Sequence, residues 1–485
     1  MGLFSCGKGR VVRKRTQIPD GRPHARRYRH GVAAWLVALP LLFPPGDGKY
    51  DPTTLVFPTF LHTYGVRKAT KFHLFLYVQN RVKVNNPQGI AATRLDSWDD
   101  PDSEKDDDEI TIYGVNSGEN VIIYNTSMTT IDIYGLNERG VRRLNAPHGI
   151  TAAPWGDVYV ADTGNNRVVH LYNPAKKLQF VRAIHGDGLL QPVGVAIAGD
   201  SSLYVTDTGH SRLLLFRQDT LTRVIAGPGE EDGRVWKPTG VAATSARDRW
   251  TFYREDFVVV VDRNGKRIQK FLPDGTFAGA VHSRDFGYPN ADLQYVAIDF
   301  YNQIWVTDKA NHCIHKFDKN LRYLDSFGRK GKGDKEFIEP RGITIYKRFG
   351  QVLIAEKEAA QYYWIGTDVK QFTAVADSQN YLTIRYFLTE PSFVTLEILD
   401  EQKKPLATVL KKARRAAGQH VERLAGNWHL LPYRVVDGEK RYPAEMIRGY
   451  PKLLPGTYQV RLTISATYSS YKYFKKTVTK PFVAR

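Results

Sequence analysis

The sequence predicts an all-β protein, a β-propeller followed by a β-sandwich, and three observations carry that expectation. A long phrase recurs through the middle of the chain. It reads PHGITAAPWGDVYVADTGNNRVVHLY from Pro147 and PVGVAIAGDSSLYVTDTGHSRLLLF from Pro192. Each copy breaks into short Val-, Ile- and Tyr-rich runs bounded by Gly, Asp and Asn, residues that accept tight reversals cheaply. Beyond about Phe372 the phrase stops and longer alternating stretches replace it. The chain of 485 residues is 42% hydrophobic and 12% aromatic, enough for a large core, and its 25% charged residues exclude wholesale disorder.

The formal net charge of +19 is concentrated at the two ends. Residues 1–30 carry +8 and residues 371–485 carry +10, which leaves +1 for the whole of 31–370. Any steering of an acidic partner therefore starts from the ends. Cys6 and Cys313, the two cysteines of the chain, exclude a disulfide scaffold and a four-thiolate zinc site.

Residues 1–45 read as a basic leader. Behind RRYRH lies the uncharged run GVAAWLVALPLLF, 31–43, closed by PPGDG. A bilayer-spanning helix needs about 20 apolar residues, so this run is short for a span and fits a secretory signal or signal-anchor. The long basic stretch and the lack of an A-x-A-like site depart from the usual signal. The localisation expected is extracytoplasmic (periplasmic, cell surface or secreted), with membrane association through 31–43 if the leader stays uncleaved. Residues 46–68 read as a linker.

Weaker copies of the phrase complete the repeat. PQGIAAT opens at Pro87 and GENVIIYNTSMTTIDIY follows at 118–134. PTGVAAT opens at Pro238, with FVVVVDRNGKRIQKF at 257–271 after an insertion. LQYVAIDFYNQIWVTDKANHCIHKF occupies 293–317, and Pro340 opens PRGITIYKRFGQVLIAEKEAAQYYWIG. Units of three or four short antiparallel strands are propeller blades rather than helical repeats. The phrase resembles the NHL repeat over roughly 69–370, most specifically in DTGNNR at 162–167 and DTGHSR at 207–212. That resemblance implies a six-bladed propeller. The last unit passes straight into a different sequence, so KFHLFLYVQNRVKV at 71–84 is expected to be the strand that pairs with it and closes the ring.

Residues 371–485 read as a β-sandwich. SFVTLEILDEQKKPLATV, AAGQH at 416–420 and LPGTYQVRLTISA together resemble the immunoglobulin-like domain of flagellar hook-capping proteins. VERLAGN in place of a tryptophan-centred segment, and the insertion 429–452, depart from that pattern. KKARR, 411–415, reads as a solvated loop. The competing reading makes Lys411, Lys412, Arg414 and Arg415 a docking patch for an anionic surface.

The start of each first strand and the turn between second and third strands are expected on one face of the disc. That places His148, His210, His312, Lys309, Arg263 and Arg341 together, and the channel mouth there is the expected binding site, with Gln88, His148, Thr239 and Arg341 as candidates. Peptidyl-α-hydroxyglycine lyases are similar propellers in which histidines at the PxG position bind zinc. Gln88, His148, Val193, Thr239 and Arg341 hold those positions here, with no clear fifth-unit match, so that enzyme is the alternative and not the expectation. Calcium at the acidic insertion DSWDDPDSEKDDDE, 96–109, is the one cofactor considered, and a solvated loop is the better reading because no EF-hand spacing is present. No P-loop, GxSxG or HExxH occurs. RNA binding, known for some NHL domains and the second alternative, is disfavoured by the near-neutral middle of the chain. The expectation is a non-catalytic scaffold that assembles with a protein partner, an acidic surface or envelope complex. Deleting 1–45 is expected to leave a soluble protein with a cooperative melting transition; aggregation of that truncation would make 31–43 part of the core.

Overall fold

In the computed structural model the described residues are 52–59, 67–98, 110–127, 130–174, 177–262, 266–468 and 472–485. The leader, most of the acidic insertion (99–109) and Arg263 lie outside them. No helix among the described residues is long and apolar enough to cross a membrane.

Among the described residues up to Ile365, six antiparallel sheets form in sequence order. The first pairs Pro87–Arg94, Ile110–Asn116, Val121–Ser127 and Thr130–Tyr134, and the second pairs Ile150–Ala152, Asp157–Asp162, Arg167–Tyr172 and Gln179–Ile184. Pro192–Ile197, Leu203–Asp207, Arg212–Arg217 and Thr220–Ala226 make the third. Pro238–Thr244, Phe257–Asp262, Arg267–Phe271 and Phe277–His282 make the fourth. The fifth holds Leu293–Ile298, Ile304–Asp308, Cys313–Phe317 and Tyr323–Phe327, and the sixth is built on Ile343–Tyr346, Gln351–Glu356 and Ala359–Ile365. First strands of successive sheets touch in order, and the sixth sheet's touches the first sheet's. Sheets packed face to face around one axis make a β-propeller. This is why FVVVVD at 257–262 and IWVTD at 304–308 are buried at every residue: both of their faces meet a neighbouring sheet.

The strand expected over 71–84 is not there. Lys71–Val78 is a helix, α1. The outer edge of the sixth sheet is filled instead by Leu55–Val56 opposite Ile365 and Trp364, and by Lys68–Thr70 opposite Gln361–Ala359. Two local causes favour the helix. The Thr70 backbone N–H donates to His73 Nδ1 (3.2 Å), closing the first turn. Leu74 and Val78 then pack on Val121, Ile123 and Ile131 of the first sheet. Part of the 46–68 segment read as a linker is thus paired structure, and Thr54 is fully buried.

Beyond Ile365 two further sheets enclose a separate core. Val369–Ala376, Leu382–Leu388 and Gly418–Leu424 form one; Pro405–Arg415, Ser392–Leu399, Gly456–Ala466 and Lys476–Ala484 form the other. Leu382, Ile384, Tyr386, Val394, Leu396 and Leu462 fill the space between them. The KKARR stretch belongs to the strand Pro405–Arg415, not to a loop.

A buried ion pair joins the two parts. Lys316 reaches Glu390 and donates to Thr389 O (2.7 Å), with its ammonium 4.4 Å from the centre of the Trp305 ring. Burial pushes the Glu390 carboxyl up to about 8, and Lys316 pulls against that shift. Tyr301 OH and Thr467 Oγ1 lie 2.6 Å apart, a second bond between the propeller and the sandwich.

A chain beginning at Lys71 is expected to aggregate or lose its cooperative transition, whereas one beginning at Gly46 keeps it; identical melting curves would reject the closing role of 55–56 and 68–70. Lys316→Met alone is expected to cost about 1–3 kcal/mol in urea unfolding, because it leaves the buried Glu390 carboxyl without its donor, while Lys316→Met with Glu390→Gln costs less than the single change.

Candidate functional site

All six first strands start at one level of the axis, where a ring of carbonyls forms. Gly89 N–H donates to His148 O (3.0 Å), Gly149 N–H to Val193 O (2.8 Å) and Gly342 N–H to Gln88 O (3.2 Å). Hydroxyls make the other links. Thr206 Oγ1 donates to Thr239 O (2.8 Å), Thr239 Oγ1 to Gln294 O (3.2 Å) and Thr307 Oγ1 to Arg341 O (2.6 Å). Glycine is required where the strands approach this closely: a Cβ on Gly194 would sit 2.2 Å from Thr239 O. The fifth unit, where the sequence shows no PxG, places Gln294 on the ring and Tyr295 at the glycine position.

The structure brings all four candidates at this mouth, Gln88, His148, Thr239 and Arg341, onto the ring. Their polar side chains bond to neighbouring residues of the ring and its approaches. Arg341 donates to Asn86, to Pro87 O (3.1 Å) and to Glu339 (3.3 Å). Gln88 donates to Asn86 (3.1 Å) and accepts from Tyr295 OH at 3.4 Å. His148 faces Ala146 O through Nδ1 at 3.0 Å. Burial holds its imidazole below the usual value; the hydrogen bond to Ala146 works against that shift and the Arg341 charge adds to it. Nearby, His210 pairs with Asp207 (3.0 Å) and His312 Nδ1 accepts the Glu339 N–H (3.0 Å), so both act as turn residues.

The opposite end of the channel is different. A cleft of about 410 Å³ opens there, lined by residues of all six first strands. Its lining includes Asp96, Trp155, Arg247, Asp248, Arg249, Trp250 and Lys347. Arg249 and Arg348 lie 5.4 and 4.8 Å from the Trp250 ring centre. Lys347 Nζ donates to Asp248 (2.7 Å), which also accepts the Gly199 N–H (2.7 Å) and so ties the fourth-unit insertion to the third sheet. Arg247 and Arg249 are exposed. Sequence reasoning passed over these residues. The signal for them was the insertion SARDRWTFYRED, which lengthens the fourth unit between its first and second strands.

The four basic sandwich positions are not one free patch. Lys411 and Lys412 are exposed on the edge strand. Arg414 turns to the propeller, donating to Tyr301 OH (2.9 Å) and lying 4.6 Å from the Phe252 ring centre. Arg415 pairs with the buried Glu422 at 3.0 Å. The calcium expectation at 96–109 falls almost wholly outside the described residues.

Comparison with known proteins agrees with the repeat reading. The NHL repeat family model matches residues 144–171. A stretch of 77 residues is 31% identical to the protein brain tumor of Drosophila melanogaster, covering 16% of this chain and 7% of that protein. Similar solved structures include virginiamycin B lyase from Staphylococcus aureus (16% identity, TM-score 0.40, 58% of this chain and 96% of that one). Another is the gluconolactonase XC5397 from Xanthomonas campestris (14% identity, TM-score 0.43, 65% of this chain and 96% of that one). The ring of sheets makes a β-propeller, and one of its units, at 144–171, matches the NHL repeat.

Proposed function

We propose that this chain is a non-catalytic binding scaffold acting outside the cytoplasm, a six-bladed NHL-type propeller continued into an immunoglobulin-like sandwich. In this reading the leader 1–45 delivers or anchors it, and the wide end of the channel receives an acidic segment of a protein partner. The asymmetry of the two channel ends carries the proposal. At the PxG end the candidate side chains are held by neighbouring residues, Arg341 and Gln88 by Asn86, His148 by Ala146 O and Thr239 by Gln294 O, while the opposite end combines a cleft of about 410 Å³ with the exposed guanidiniums of Arg247 and Arg249 beside Trp250. Aromatic rings flanked by arginines favour protein ligands bearing carboxylates. The lyase alternative lacks support at the ring, where His148 is the one imidazole among the six positions.

A fluorescent poly-glutamate peptide tests the assignment by anisotropy. Arg247→Glu with Arg249→Glu is expected to weaken binding about tenfold or more, at about 1 kcal/mol per charge. Affinity is also expected to fall between low and physiological salt, where exposed charges are screened over about 8–10 Å. Lys411→Glu with Lys412→Glu is expected to change little. The reverse pattern would move the site to the sandwich, and no binding by the unaltered protein would reject an acidic partner.

A further inference from the structure

We infer that the fifth sheet carries a zinc-binding site made by Asp308, Cys313 and His315. The three side chains are buried, and one ligand atom from each lies within 4.8 Å of the other two. His315 Nε2 is 3.0 Å from Asp308 Oδ2 and 3.8 Å from Cys313 Sγ. Both partners therefore converge on the same ring nitrogen. A thiol–imidazole–carboxylate relay needs them on opposite nitrogens, so this arrangement suits a shared cation instead of a nucleophile.

The other nitrogen is already oriented for that task. His315 Nδ1 lies 2.7 Å from Ser326 Oγ, which in turn lies 2.7 Å from Tyr323 OH. With the imidazole hydrogen on Nδ1 and donated to Ser326, the Nε2 lone pair is left for a metal, and that Nδ1–H bond is the outer-shell contact that fixes a ligating imidazole. Asn311 Nδ2 is 2.6 Å from Asp308 Oδ2, so turning its amide over offers an oxygen as a fourth ligand. The corresponding position in the second, third and fourth sheets holds Arg167, Arg212 and Arg267, each paired with its aspartate. Replacing that fixed guanidinium by a thiol, with an imidazole two residues on, turns a closed ion pair into a mixed sulfur, nitrogen and oxygen set suited to zinc. Binding displaces the thiol proton to solvent, while the single imidazole hydrogen moves from Nε2 to Nδ1, and so it tightens as pH rises.

The full chain, produced in zinc-supplemented medium and passed through metal-free gel filtration, is expected to retain one zinc per molecule by elemental analysis. Cys313→Ala, which keeps the His315–Asp308 pair, is expected to lose that zinc while melting as the metal-free parent does. Cobalt in place of zinc should give a thiolate charge-transfer band that Cys313→Ala abolishes. A folded parent that retains no zinc, or a Cys313→Ala chain that retains as much, would overturn the site. Should Cys313→Ala fail to fold, the cobalt band of the parent decides: its absence rejects thiolate ligation.

Discussion

One hydrogen-bonded junction recurs in every sheet of the propeller, and the rest of the ring is registered from it. The second strand ends on a buried side-chain oxygen that captures a backbone N–H of the segment leading into the first strand. Asp162 takes Asn145 N–H (2.6 Å), Asp207 takes Leu190 (2.8 Å) and Asp262 takes Trp236 (3.2 Å). Asp308 takes Asp292 (3.0 Å), Glu356 takes Ile338 (2.7 Å) and Asn116 takes Asn85 (2.8 Å). A charge so deeply buried needs compensation, which in three sheets is the arginine five residues on. Because that arginine opens the third strand, one carboxylate sets the relation of three segments at once.

From this junction the carbonyl ring follows. With the entering segment held, the start of the first strand lies within hydrogen-bonding reach of the next sheet, and the residue between the phrase's proline and glycine presents its carbonyl to the ring. Direct N–H···O contact there leaves no room for a Cβ, so glycine follows at Gly89, Gly149 and Gly342. In the third and fifth sheets, Thr206 and Thr307 insert a hydroxyl into the link. The fifth sheet carries Tyr295 at the glycine position, and the Tyr295 backbone N–H donates to Thr307 Oγ1 (3.1 Å). The buried tyrosine reaches from the fifth sheet to Gln88 of the first, its hydroxyl 3.4 Å from Gln88 Oε1.

The strand content, the recurring phrase and the side of the disc holding His148 and Arg341 were legible because they follow from local pattern. Alternation, turn residues and the PxG phrase are all carried by adjacent residues. What was not legible depends on contacts distant in sequence. KFHLFLYV has the composition of a strand, but residues 55–56 and 68–70 had already taken the free edge, and the segment gained more by folding as α1 onto Val121 and Ile131. KKARR looks like one basic patch in the sequence, yet strand alternation sends Arg414 to Tyr301 of the propeller. Arg247, Arg249 and Trp250 of the cleft come from an insertion between the first and second strands of the fourth sheet, outside the recurring phrase.

The junction also explains where the repeat signature breaks down. A guanidinium in this position does two jobs: it neutralises the carboxylate and donates to the carbonyl two residues before the captured N–H, as Arg167 does to Arg143 O (2.9 Å) and Arg267 to Arg234 O (3.1 Å). The first sheet needs no arginine, because Asn116 is neutral and its own amide donates to Lys83 O (2.6 Å). In the sixth sheet the jobs are divided. Gln361 donates to Glu336 O (2.7 Å), and the positive charge comes from Lys68, 2.6 Å from Glu356. Lys68 belongs to the closing segment, so the unit that looks most degenerate in sequence is the one whose charge balance is completed only when the ring shuts. Closure there is enforced by a buried carboxylate that would otherwise stand without its cation, and by the sheet edge that β-pairing covers.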